Sequence, residues 1–166
     1  MPTTVSNPRD LYLVQLCDIL YVERRLGFDV LPELLGKVKD SELSDALGEH
    51  LAQTKDHVTR VEHAFRVAGA EPSSVLSPPF TGLEDQHSEQ ASATVDETLA
   101  DAWHAAAAAH TEHYEIAAYE ALIALAGELG MDEADGLLKA NLGEERKALE
   151  HAQDAYRRLV AAAAAR

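Results

Sequence analysis

Apolar residues recur at alternating steps of three and four along four stretches of this chain. The first stripe reads Leu13, Leu16, Leu20, Glu23, Gly27, Val30, Leu34, and the second Leu47, Leu51, Thr54, Val58, Val61, Phe65, Ala68. The third reads Ala105, Ala108, Glu112, Glu115, Tyr119, Leu122, Ala126, Leu129, and the fourth Leu138, Leu142, Glu145, Leu149, Ala152, Tyr156, Leu159. This period keeps one apolar face of an α-helix turned towards neighbours. Start and stop signals place the four helices at about residues 8–38, 41–69, 94–129 and 132–162. Asn7-Pro8 opens the first, and Pro32 is expected to bend it while Gly27 loosens it or admits a close neighbour. Ser41 is expected to cap the second helix, assisted by Asp40 and Glu42. Gly69 ends the second helix, Gly130 ends the third, and Asp132 is expected to cap the fourth.

Residues 70–93 differ in kind. Glu71-Pro72-Ser73-Ser74 and Ser77-Pro78-Pro79 are loop composition, and Phe80 to Gln90 has room for a short helix packed across the others by Phe80 and Leu83. A connection this long lets the second and third helices run parallel. The expectation is an all-α fold: a ferritin-like four-helix bundle with one long crossover and a short extra helix. At 166 residues the chain is sized for a single domain over 1–166. The first and second halves also resemble each other weakly, as two helical hairpins sharing one central layer.

Composition agrees with helix and narrows the partners. Aromatic residues are only 5%, and 29 acidic against 14 basic residues give a net charge of −15. A surface this acidic repels phosphate backbones and anionic lipid, so neither nucleic acid nor membrane is an expected partner. The single cysteine, Cys17, excludes an internal disulfide and reads as a packing thiol. The N-terminal residues carry no charged-then-apolar signal pattern, and no apolar run is long enough to span a bilayer, so a cytoplasmic protein is expected.

Four stripe positions are occupied by carboxylates: Glu23, Glu112, Glu115 and Glu145. An ionised carboxylate in a core costs several kcal/mol unless something pairs with it. Four converging between helices call for cations, and a metal supplies them most compactly. The usual di-metal bundle uses one Glu from each of two helices and Glu-x-x-His from each of the other two. Here the second helix has Thr54-x-x-His57 and the fourth has Glu145-x-x-Ala148. The candidate ligands are therefore Glu23, His57, Glu112, Glu115 and Glu145. His50, Gln53, Thr54, Tyr119 and Glu144 are placed around them as supports. His63, His87, His104, His110, His113 and His151 lie mostly off the stripes and are expected in solvent. Glycine-rich phosphate loops, nucleophile elbows and paired cysteines are all missing from the sequence.

The stretch Glu112-His113-Tyr114-Glu115-Ile116-Ala117-Ala118-Tyr119 resembles the signature of the YciF-like (YciE/YciF) stress-protein family of the ferritin-like superfamily. Glu49 through His57 to Glu62 is similar to that family's second helix, Glu144-Glu145-Arg146-Lys147 to its fourth, and Asp18 to Leu26 to its first. The resemblance implies a ferritin-like bundle with a di-iron centre, commonly dimeric, associated with stress. It carries Glu23, Glu112, Glu115 and Glu145 over as ligands. His57 stands where the family usually has glutamine, Gln53 where it often has Glu, and Leu149 where it often has Asp. These departures bear on the second metal position, so the site is expected to hold two irons, one or none. If iron binds, dioxygen or peroxide is the expected co-reactant, in a ferroxidase- or peroxidase-like oxidoreductase, with Glu23 and Glu115 as bridges by pseudo-symmetry. The alternative is a metal-free helical stress or scaffold protein whose inward carboxylates are protonated or paired with Arg24, His50 or His57. Chelation separates the two.

Overall fold

The computed structural model describes residues 4–166. Helix is the regular structure throughout these residues. The first rod comprises α1 (Pro8–Arg25), a π-helical stretch (Leu26–Val30) and α2 (Leu31–Leu35). The others are α3 (Ser41–Val67), α4 (Pro78–Ala93), α5 (Glu97–Glu128) and α6 (Asp132–Ala164). The predicted crossover helix is thus longer than its apolar pattern implied, because Pro78 and Pro79 start it a residue or two earlier and Ser-Ala-rich turns extend it to Ala93.

Helix ends follow side-chain chemistry. Asn7 accepts from Asp10 N at 2.9 Å, and Asp96 accepts from Leu99 N at 3.0 Å. At the start of α3 the cap is Asp40 rather than Ser41: its carboxylate accepts from Leu43 N at 2.9 Å, satisfying an amide the first turn leaves free. At α6 the cap position is Met131, which makes no side-chain bond, and Asp132 lies inside the first turn. Gly69 and Gly130 stop α3 and α5 with φ of 67° and 66°, a left-handed turn that glycine adopts without a Cβ clash.

The π stretch corrects the first stripe. Buried positions run Leu20, Glu23, Gly27 and then Leu31 and Leu34, with Val30 only half-buried. One extra residue in the turn moves the apolar face on by one position. Pro32, which has no N–H to give to the carbonyl four residues back, sits just after it. Within the stretch Gly27 meets α3 closely: a Cβ there would lie 3.2 Å from Thr54 Cγ2.

The four long helices form a ring. The first rod packs on α3 and α5, and α6 packs on α3 and α5 in turn. The first rod and α5 run antiparallel. Asp101, early in α5, accepts from the Lys39 and Asp40 amides just after α2, whereas Tyr119, later in α5, meets Glu23 in α1. The pairs Asp40–Arg158 and Arg60–Asn141 give α3 and α6 the same relation. With both hairpins antiparallel, α3 and α5 lie parallel across the diagonal, as the long crossover requires. The helix α4 packs outside this ring against α5, anchored by buried Phe80 and by the Trp103 indole N–H donating to His87 O at 3.0 Å. The core includes Tyr12, Leu16, Ile19, Leu20, Phe65 and Leu138, all essentially buried. None of the described helices is long and apolar enough to cross a membrane.

Candidate metal centre

Midway along the ring the core turns polar. Glu23, His57, Glu115 and Glu145 are fully buried, and His50 and Glu112 are 5% and 3% exposed. Each helix of the ring contributes: α1 Glu23, α3 His50 and His57, α5 Glu112 and Glu115, and α6 Glu145. Two ligating groups result. One nitrogen or oxygen from each of His50, Glu112, Glu115 and Glu145 lies within 4.8 Å of the others, and Glu23, His57 and Glu145 form a second set on the same measure. Glu145 belongs to both.

The sequence pattern left the imidazole supply incomplete. The fold completes it from one helix. His50 and His57, two turns apart on α3, share a face, and their ring centroids lie 6.3 Å apart. Four carboxylates and two imidazoles therefore meet without either Glu-x-x-His motif. His50 faces the centre directly rather than supporting it: its Nε2 lies 3.3 Å from Glu112 Oε1 and 3.8 Å from Glu145 Oε2. The grouping sets the two residues expected as bridges by pseudo-symmetry apart. Glu23 and Glu115 fall in separate groups, and Glu145 spans them. The approximate repeat between hairpins is too coarse to fix which carboxylate stands at the centre.

The electrostatics are those of a site short of positive charge. Burial pushes Glu112 and Glu115 well above the usual carboxylate range, and the neighbouring Glu145 pushes both further. Burial also raises Glu23, against the opposing pull of His57. Burial alone would lower His57, but Glu23 and Glu145 outweigh it and raise the imidazole to about 11. His57 Nδ1 lies 2.8 Å from Glu145 Oε1 and 3.3 Å from Glu23 Oε1, near enough for an ion pair but without hydrogen-bond alignment. Ten buried side-chain oxygens and nitrogens among the described residues lack a hydrogen-bond partner, and eight of them belong to these six residues. Both oxygens of Glu115 and both of Glu145 are among the eight. Orphaned buried oxygens are rare in proteins. Here they cluster on hard oxygen donors around two imidazoles, a donor set suited to a divalent transition metal.

An outer circuit holds the ligands. The Tyr119 hydroxyl donates to Glu23 Oε1 and accepts from Asn141 Nδ2 at 2.9 Å. Arg60 donates to Asn141 Oδ1 at 2.9 Å and to Glu144 Oε2 at 2.7 Å, and the same Glu144 oxygen lies 2.7 Å from His57 Nε2. Glu144 thus fixes the His57 ring through its outer nitrogen and leaves Nδ1 turned to the centre, the usual relation of a carboxylate to a ligating histidine. Of the residues expected around the ligands, Tyr119 bonds Glu23 and Glu144 bonds His57. Thr54 is buried but bonds back to His50 O at 2.9 Å, and Gln53 turns outward to Glu49 at 3.2 Å. Asn141 and Arg60 escaped the sequence reading. The signal for Asn141 was present only in part: an amide side chain four residues before Glu145, beside the stripe position Leu142.

Two expectations about other polar residues are corrected. Arg24 pairs with Glu62 at 2.7 Å on the surface, away from the carboxylates. His87 and His104 are not in solvent: His104 is 5% exposed, and the two rings share a 2.7 Å contact under α4. The crossover helix covers that side of α5, which the stripe pattern of α5 alone could not show.

Helix order, the diagonal crossover and this polar layer define a ferritin-like helical bundle with a buried His/Glu group able to hold a metal ion. Residues 7–165 match the family described as "Domain of unknown function (DUF892)", and the chain belongs to it. It is 30% identical to Protein YciF of Escherichia coli K12 over 138 residues, 82% of each chain. The solved structure of the E. coli stress protein YciF superposes with a TM-score of 0.87 at 28% identity, covering 94% of this chain and 98% of that one. YcfI from Rhodopseudomonas palustris gives 0.88 at 35% identity, covering 92% and 97%. A Xanthomonas campestris protein shares the fold at 19% identity, with a TM-score of 0.75 over 94% and 95% of the two chains.

Proposed function

We propose that this chain is a cytoplasmic metal-binding stress protein whose centre takes two iron ions and handles iron or consumes oxidant. The carrying observation is the set of eight partnerless donor atoms on six buried side chains. The residues fit the ions in number and kind. His50, Glu112, Glu115 and Glu145 would hold one, and Glu23, His57 and Glu145 the other, with Glu145 shared. Bound ferrous iron supplies reducing equivalents to dioxygen or peroxide. The chain's own part is to exclude water with the surrounding leucines, to orient Glu23 through Tyr119, and to hold the His57 ring by its Nε2 against Glu144 so that Nδ1 faces the centre, where an incoming ion would displace its proton. An isologous homodimer is the assembly this reading expects.

One observation favours the metal-free scaffold. His57, charged and touching Glu23, Glu144 and Glu145, neutralises part of the layer unaided. It does nothing for Glu115, whose two oxygens have no partner. Metal therefore accounts for more of the site. The deciding experiment is elemental analysis of chain reconstituted anaerobically with ferrous iron, with Glu115→Ala alongside. About two irons per chain, lowered in the variant, is the outcome expected for a di-metal bundle. Iron content that is nil in the native chain, or unchanged in the variant, overturns the reading.

A further inference from the structure

A centre enclosed by four helices needs an entrance, and the two cavities that touch it differ in chemistry. One, of about 40 Å³, reaches Glu112 from the side of α4. Its walls are chiefly Leu26, Leu31, Leu34, Phe80 and Leu83. Of its polar members, Glu84 is held by Arg25 and His87 by His104. A hydrated cation entering there would lose water against hydrocarbon and gain little in return.

The other approach lies between α3 and α6. A surface cleft of about 390 Å³ presents Glu42, Asp45, Glu49 and Asp154 beside His151 and Arg158. Arg158 pairs with Glu42 and Arg157 with Asp154, while Asp45 and Glu49 make no ion pair among the described residues. Ala46, Glu49 and His151 continue from this cleft into a neck of about 10 Å³ that ends on His50. That is the room of about one water molecule. His50 is the residue common to the neck and the centre. Its Nε2 faces Glu112 and Glu145, and its other ring nitrogen, Nδ1, is buried without a partner. Gln53 and Lys147 complete the neck, and two of its walls, Ala46 and Ala148, are small. Ala148 stands at the place where Glu145-x-x-His would have put an imidazole.

We propose that this cleft and neck are the route by which divalent cations load the centre, an inference that rests on the metal-binding reading above. The carboxylates of Asp45 and Glu49 concentrate a hydrated ion at the mouth. Glu49 and His151 offer donors as its water is lost, and His50 receives it at the inner end. The departure at position 148 is then the opening itself. Lys147, also on the neck, opposes the passing charge.

The test is the rate at which metal-free full-length chain takes up cobalt(II), followed by its visible absorption in stopped flow, with final cobalt content from elemental analysis. D45N/E49Q removes charge from exposed positions and is expected to slow uptake about ten-fold while reaching the native content. A148L closes the neck and is expected to slow uptake at least as much, again without changing the content. A108L, which fills the apolar cavity on the opposite side, is expected to load at the native rate. Native rates in both D45N/E49Q and A148L, or slowing in A108L instead, overturn the route while leaving the centre intact. A native chain that takes up no cobalt and no iron overturns the centre and the route together. The surface variant keeps the inference testable if A148L fails to fold, which circular dichroism reports.

Discussion

His50 and His57 stand two turns apart on α3 with their rings 6.3 Å apart at an interplanar angle of 70°. Glu145 lies between the groups they serve, 3.8 Å from the Nε2 of one and 2.8 Å from the Nδ1 of the other. A single helix thus provides both imidazoles, and a single carboxylate from α6 ties their two positions together. The expected consequence for metal binding is asymmetric: residues on one side of Glu145 should be removable without emptying the other.

That asymmetry predicts a graded pattern of metal content. Glu23→Ala removes a donor from the His57 side alone, and Glu112→Ala from the His50 side alone. Each is expected to leave about one metal per chain, against about two expected for the native centre. Glu145→Ala is expected to leave about none. Elemental analysis of the three variants after identical reconstitution checks this, and equal losses in all three would contradict the shared position of Glu145.

Stability should follow occupancy. Metal that binds the folded chain and not the unfolded one adds about 3 kcal/mol when free metal stands at a hundred times Kd. Chelation is expected to lower the melting temperature of native protein and to leave Glu145→Ala unmoved. Calorimetry with and without chelator measures both, and an equal response in the two proteins would mean that the stabilisation lies elsewhere.

The outer circuit should matter even without metal. Tyr119→Phe leaves Glu23 Oε1 and Asn141 Nδ2 buried without their shared partner. The cost expected is about 1–3 kcal/mol, read by urea unfolding of the metal-free chain. Asn141→Leu breaks the same circuit and should cost less when combined with Tyr119→Phe than the two single losses added together. Strict additivity would show that the circuit is not a unit.

Away from the centre, His87 should give the protein an acid-side weakness. Burial lowers it most, His104 and Lys37 lower it further, Glu33 opposes them, and it ends at about 4 against an ordinary 6.5. A base whose folded-state pKa is depressed contributes stability above its unfolded value and loses it as pH falls towards the folded value. Melting temperature is therefore expected to drop more between pH 6.5 and 4 in the native chain than in His87→Gln, which keeps a hydrogen-bonding group beside His104. Parallel curves for the two proteins would remove His87 from the account.

Sequence alone determined that the chain is helical and that four carboxylates face inward. The three-four spacing, the proline and glycine punctuation and the long 70–93 connection are local signals. Period and chain length constrain a bundle strongly, because each apolar stripe must find a neighbour. The inward carboxylates stood out because they break a regular stripe. Tertiary structure decided what local signals do not encode. The π stretch shifted the first stripe from Val30 to Leu31. The crossover helix laid its His87 on His104 of α5. The ring of helices brought His50 and His57 to opposite flanks of Glu145, and recruited Asn141 and Arg60. Each of these depends on how far one helix is rotated and slid against another. That is fixed by the packing of all four together and by no single stretch of sequence.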